Sequence, residues 1–165
     1  MKREAARGIA VFCIAAVLSV LLYCACQLWP ESVFALLAPG NDSVWELSKI
    51  ALWPPLLAAL AVHIRKSSRG SLGAYLMVPA ALPVALLFVL WFLRMVCGIC
   101  SGAVDLAAAL LLLAVGDAVA FSLREATFLR RILPMIAVIL LIWIGLYTAF
   151  TLRAPALGIF LEVRP

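Results

Sequence analysis

The chain has 165 residues, of which 67% are hydrophobic and only 13% charged, with a formal net charge of +5. A soluble domain is typically about 45–50% apolar and about 25% charged. No soluble core hides this much apolar surface, so a bilayer is the solvent that accepts it. The basic excess is no nucleic-acid signal either, because the thirteen Lys and Arg gather at the ends of apolar runs and not along one polar face.

The first predicted span runs from Gly8 to Leu28 behind Lys2, Arg3 and Arg7. These cations resemble the start of a signal peptide, but the run is longer than the usual apolar region and meets no small-x-small cleavage site followed by a soluble domain. It reads as a retained signal anchor. Trp29 to Asp42 is a connection, punctuated by Pro30, Pro39 and Gly40. Its apolar centre, Val33 to Leu37, is too short to span and is expected either to lie at the interface or to dip in and return.

The second span begins near Ser43 and ends at Ile64, with Pro54-Pro55 expected to kink it. Arg65, Lys66 and Arg69 close it. The third span is Leu72 to Val96, with Pro79 and Pro83 inside; a tight connection from Cys97 to Gly102 leads to the fourth, Ala103 to Leu123. Arg124, Arg130 and Arg131 border the next connection. The fifth span is Ile132 to Leu152, followed by a tail from Arg153 to Pro165. At 1.5 Å rise per residue, about 20 residues cross roughly 30 Å of hydrocarbon. The prediction is an all-α polytopic transmembrane helical bundle of five spans, one domain over residues 1–165, with no internal repeat.

Orientation follows from Lys and Arg. Three precede the first span, three follow the second and three follow the fourth, while the first and third connections carry none. The N-terminus is therefore expected in the cytoplasm and the C-terminus outside, with Arg153 and Arg164 a mild exception. The expected location is a bacterial cytoplasmic membrane.

Polar side chains in a membrane need a partner or a purpose. In this orientation most fall at the outer face: Asp42, Glu46, Lys49, Arg94, Asp105 and Glu162. Ser43 and Glu46 fit a capping box, in which each side chain satisfies the other's backbone N–H. Asp42 and Glu46, one turn apart, also offer two carboxylates to a cation or proton, and Lys49 is placed to neutralise Glu46. Arg94 and Asp105 flank a short connection, so their helices are antiparallel neighbours and a structural salt bridge is expected; the sharper alternative makes Arg94 an anion-binding group. Asp117 lies roughly 18 Å deeper than Asp105, where an isolated carboxyl is expected to be protonated; the alternatives are that it snorkels, pairs with another span or relays protons. The sequence supplies no second relay station. His63 reads as an interfacial residue beside Arg65 and Lys66.

Four of the five cysteines, Cys24, Cys26, Cys97 and Cys100, fall at the outer end. Cys97-Gly98-Ile99-Cys100 is a C-x-x-C that suits thiol–disulfide exchange, with Arg94 one turn before it. Against this stands cysteine as a small apolar filler, and a bare C-x-x-C is a weak signal.

The stretch Phe34-Ala35-Leu36-Leu37-Ala38-Pro39-Gly40-Asn41-Asp42-Ser43-Val44-Trp45-Glu46, with Lys49 and Trp53-Pro54, resembles a family of small multi-pass bacterial membrane proteins of unknown function. That family carries Ala-Pro-x-Asn-Glu-Ser-Val-Trp-Glu-His-x-Lys before its second span and an ending like Phe150-Thr151-Leu152-Arg153-Ala154-Pro155 with Phe160 and Glu162. The family's Glu is Asp42 here and its His is Leu47. The resemblance implies the fold and topology and names no reaction.

The leading expectation is a non-enzymatic membrane protein, a small-solute or ion permease or an accessory subunit. The alternative is a membrane enzyme with an outer-face site, such as a thiol-disulfide oxidoreductase using Cys97 and Cys100. Expected partners are the lipid bilayer and a membrane subunit or second copy, with no nucleic acid. No cofactor or metal is named by the residues.

Overall fold

The computed structural model describes residues 2–28, 36–37, 39, 43–63 and 69–153. These residues form six α-helices and one 3-10 helix, with no strand among them. The helices are α1 (Lys2–Leu28), α2 (Val44–Leu47), α3 (Trp53–His63), α4 (Arg69–Met95), α5 (Gly102–Leu123) and α6 (Phe128–Leu152); the 3-10 helix, Ser48–Ala51, lies between α2 and α3. Five stretches are long and apolar enough to cross a membrane: Ala5–Ala25, Val44–Val62, Leu72–Met95, Gly102–Leu123 and Phe128–Leu152. The described residues are helical throughout their regular structure, and the five long apolar helices are those of an integral membrane protein.

Two expectations gain detail. The kink of the second span is a change of winding, from α to 3-10, just upstream of the prolines. Pro54 and Pro55 lack the N–H groups that would bond to Ile50 and Ala51. The chain therefore tightens into the 3-10 helix, turns at Leu52, and restarts as α3, whose first turn tolerates proline. The last helix begins at Phe128, ahead of the expected Ile132, so Arg130 and Arg131 sit inside its first turns. The interfacial segment Val33 to Leu37 lies largely outside the described residues.

Packing makes the broken span the centre. Of its most apolar window 78% is buried, against 17% for the windows of α1 and α6. The 3-10 helix packs on α3, α4, α1 and α5, while α4 packs on α3, α5 and α6. Ala58, Ala59 and Ala74 are fully buried; small residues let helix backbones approach where lipid supplies no hydrophobic drive. The outward faces of α1, α5 and α6 carry exposed Ile9, Leu111 and Leu141, as a lipid-facing surface requires.

Contacts along the helices define two ends. At one, the Gly8 backbone of α1 lies against Tyr75 of α4 and Phe121 of α5, and Gly73 lies against Leu129 of α6. Arg7, Arg124, Arg130 and Arg131 belong to this basic end. At the other, Tyr23 of α1 lies against Gly102 of α5, and Trp45 of α2 against Tyr147 and Phe150 of α6.

Candidate functional site

The end opposite the basic one is built around the start of the broken span. Ser43 caps α2 by accepting the Glu46 backbone N–H at 3.2 Å. This is the Ser43 half of the expected capping box; the Glu46 carboxylate takes the Lys49 ammonium at 2.5 Å. The pair spans the junction of α2 and the 3-10 helix. Lys49 is wholly buried and the Glu46 side chain is 10% exposed. An ammonium in a low-dielectric interior is costly unless paired, and the tighter winding from Ser48 brings the two side chains together over three residues.

Arg94, in the last turn of α4, donates to Asp105 Oδ2 in the first turn of α5 at 2.5 Å. Both side chains are less than 5% exposed. Between them α4 ends at Met95 and the chain reverses at Gly98, whose φ of +68° makes it the one left-handed glycine among the described residues. The Ile99 N–H bonds back to Leu93 at 2.9 Å. Glycine adopts this conformation without the penalty a Cβ imposes, and the reversal lets α5 return beside α4. The salt bridge closes the hairpin across that turn. Asp105 also suits the positive end of the α5 dipole. Its Oδ1 is buried with no partner among the described residues.

The structure thus resolves the predicted outer set into two buried ion pairs at one end of the bundle. The 3-10 helix that carries Lys49 packs on α4 and α5, the two helices that carry the other pair. Asp42 and Glu162 lie outside the described residues. Cys97 and Cys100 are exposed free thiols in the α4–α5 turn, at the same end. Among the described residues, no three His, Cys, Asp or Glu side chains converge as metal ligands.

Two residues the sequence reading missed belong here, Ser48 and Tyr147. The Ser48 hydroxyl donates to the Trp45 carbonyl at 2.6 Å, and its Oγ lies 2.6 Å from the Tyr147 hydroxyl. With the Ser48 proton so committed, Tyr147 is the donor of the second bond. Tyr147 is fully buried. Its ring stacks on Trp143 at 5.5 Å and meets Trp45 at 5.0 Å, while Phe150 presents its edge to Trp45 at 5.2 Å. Trp143 also donates to the Ala80 carbonyl of α4 at 3.0 Å, beside Pro79 and Pro83, where the helical ladder is already interrupted. The signal was present: Trp143, Tyr147 and Phe150 recur at helical spacing on one face of α6. A Ser within one turn of Trp45 was the other half. Together these contacts hold the break of the second span against α4 and α6.

Asp117 lies elsewhere. It belongs to the buried stripe of α5 formed by Asp105, Ala109, Leu113, Asp117 and Ala120, twelve residues along from Asp105, toward the basic end. It joins neither ion pair.

No curated protein and no solved structure matches the chain. A model of a family of unknown function (DUF6512) matches residues 5–164. That match takes in all five spans, both ion pairs and the aromatic anchor of the broken helix, and the chain belongs to this family.

Proposed function

We propose that the protein is a small-solute or ion permease of a bacterial cytoplasmic membrane, working alone or as an accessory subunit, with its binding position at the outer end of the broken second span. The observation that carries this reading is the wholly buried Lys49 paired with Glu46 at a helix discontinuity. Ionisable groups inside a membrane are expensive and mark sites of binding or transfer. Irregular winding at membrane depth is tolerated where protein covers it, and it recurs at the binding positions of membrane transporters. The aromatic anchor fixes the break in place, so the polar groups are preorganised. In this reading Arg94–Asp105 is the clasp of the α4–α5 hairpin and Glu46–Lys49 is the site. The basic residues of the other end face the cytoplasm.

The test is ligand-dependent thermal stabilisation of the detergent-purified protein across inorganic ions and small polar solutes. It is repeated on Glu46→Gln and on Glu46→Gln/Lys49→Met, and each hit is followed by flux measurements in proteoliposomes. A solute that stabilises the wild type and not the double variant, and that crosses proteoliposomes faster with wild type, meets the proposal. Equal stabilisation of wild type and double variant removes the pair from the site.

The exposed free thiols favour a second reading, dithiol–disulfide exchange with an oxidant at the outer surface. Membrane-impermeant maleimide then labels Cys97 and Cys100 more after reduction of intact cells than before it. Equal labelling in the two states eliminates that reading.

A further inference from the structure

At the basic end, α1 and α5 face each other with matching stripes. Ala5, Gly8, Ile9 and Phe12 of α1 and Ala114, Asp117, Ala118 and Phe121 of α5 recur at the same helical spacing, and they line a groove of about 410 Å³ that is open on the outer surface of the two helices. Four of these eight residues are Ala or Gly, so no side chain fills the space. The α1 wall cannot grow: a methyl at Gly8 would stand 2.6 Å from the Tyr75 hydroxyl oxygen, and Tyr75 is itself buried. The groove is of the size of small-molecule sites, about 300–1,000 Å³.

Asp117 is the one charged residue of the lining. It is 6% exposed, and neither carboxylate oxygen has a hydrogen-bond partner among the described residues. Buried polar atoms are normally satisfied, and an uncompensated carboxylate at this depth is costly. The cation two turns along α5 does not reach back to serve it. Arg124 donates to the Phe121 carbonyl at 2.5 Å, lies over the Phe121 ring at 4.0 Å and pairs with Glu125 at 3.1 Å. The stripe thus offers two unmatched acceptor oxygens in an otherwise apolar trough.

We propose that the groove between α1 and α5 binds a lipophilic amine, its ammonium on Asp117 and its apolar body against Ala5, Ile9, Phe12 and Ala118. An ammonium carries three N–H donors, enough for both oxygens, and its charge neutralises the carboxylate. A hydroxyl carries one donor and leaves the charge. An anionic amphiphile places like charges together. This site lies at the opposite end from the Glu46–Lys49 pair and stands independently of the permease reading.

The test uses the full chain in phosphatidylcholine nanodiscs and radiolabelled 1-adamantylamine, with partition into empty nanodiscs subtracted. The wild type binds one equivalent saturably. Asp117→Asn, close to isosteric, weakens binding at least about tenfold. Ala118→Leu, at an exposed position, fills the trough and abolishes binding while the protein elutes as the wild type does. 1-Adamantanol competes at least about tenfold less well than the amine, and 1-adamantanecarboxylate does not compete. No saturable binding to the wild type, undiminished binding to Asp117→Asn, or an alcohol that competes as well as the amine overturns the proposal.

Discussion

The Arg94–Asp105 pair gives the sharpest test of how the bundle is held. Arg94→Met removes the guanidinium and keeps an apolar stem of comparable reach. It leaves Asp105, buried to 3% side-chain exposure with Oδ1 already unpartnered, to carry its charge without the bond to Arg94 at the top of α5. Removing one member of a buried pair costs about 3–5 kcal/mol, because the remaining charge stays desolvated. Asp105→Leu removes the carboxylate that faces Arg94 and is also expected to destabilise. The double variant Arg94→Met/Asp105→Leu removes both charges and fills the site with apolar groups, an exchange often neutral or stabilising. It is expected within about 1 kcal/mol of the wild type or above it, so the two single losses are strongly non-additive. The assay is reversible denaturant titration of the micellar protein, followed by tryptophan fluorescence and far-UV circular dichroism. Additivity of the single variants within about 0.5 kcal/mol would refute the reasoning. It would mean that the two side chains do not share a buried bond when the protein is folded. A double variant that is stable and retains ligand binding further separates this clasp from Glu46–Lys49.

Other expectations follow from the same geometry. Tyr147→Phe removes the donor to Ser48 while keeping the stacked ring, and should cost about 0.5–1.5 kcal/mol in the same titration; Tyr147→Ala also loses the aromatic packing and should cost about 3–5 kcal/mol. Equal losses for the two would show that the ring carries nothing. Gly98→Ala places a Cβ on a left-handed residue and should destabilise by about 1–2 kcal/mol; no change would mean the turn adopts another path. For topology, a reporter active only in the cytoplasm should work when fused after Arg69 or Arg131 and stay silent after Gly102. Activity at Gly102 would contradict the five-span arrangement.

Much of this protein was determined by its sequence alone. A bilayer leaves helices as the way for a chain of this composition to satisfy its backbone, so apolar runs of about 20 residues read directly as spans. The Arg94–Asp105 bridge was legible because a short connection forces adjacent helices antiparallel, and a charge near each end of that turn must meet a partner. Ser43 announced its cap, and Glu46 and Lys49 their spacing. Tertiary structure alone decided the rest. The prolines at 54 and 55 signalled a disturbance, but where it is absorbed depends on what can hold the freed segment. That support comes from Trp143 and Tyr147, about a hundred residues away in the chain. Long-range aromatic contact leaves no local pattern beyond an apolar stripe, which a lipid-facing stripe matches equally well. Asp117 was visible as an awkward carboxyl, but the groove beside it exists only because two small-residue stripes on α1 and α5 face one another. Helix pairing across the bundle depends on the packing of every span at once, and no window of sequence contains it.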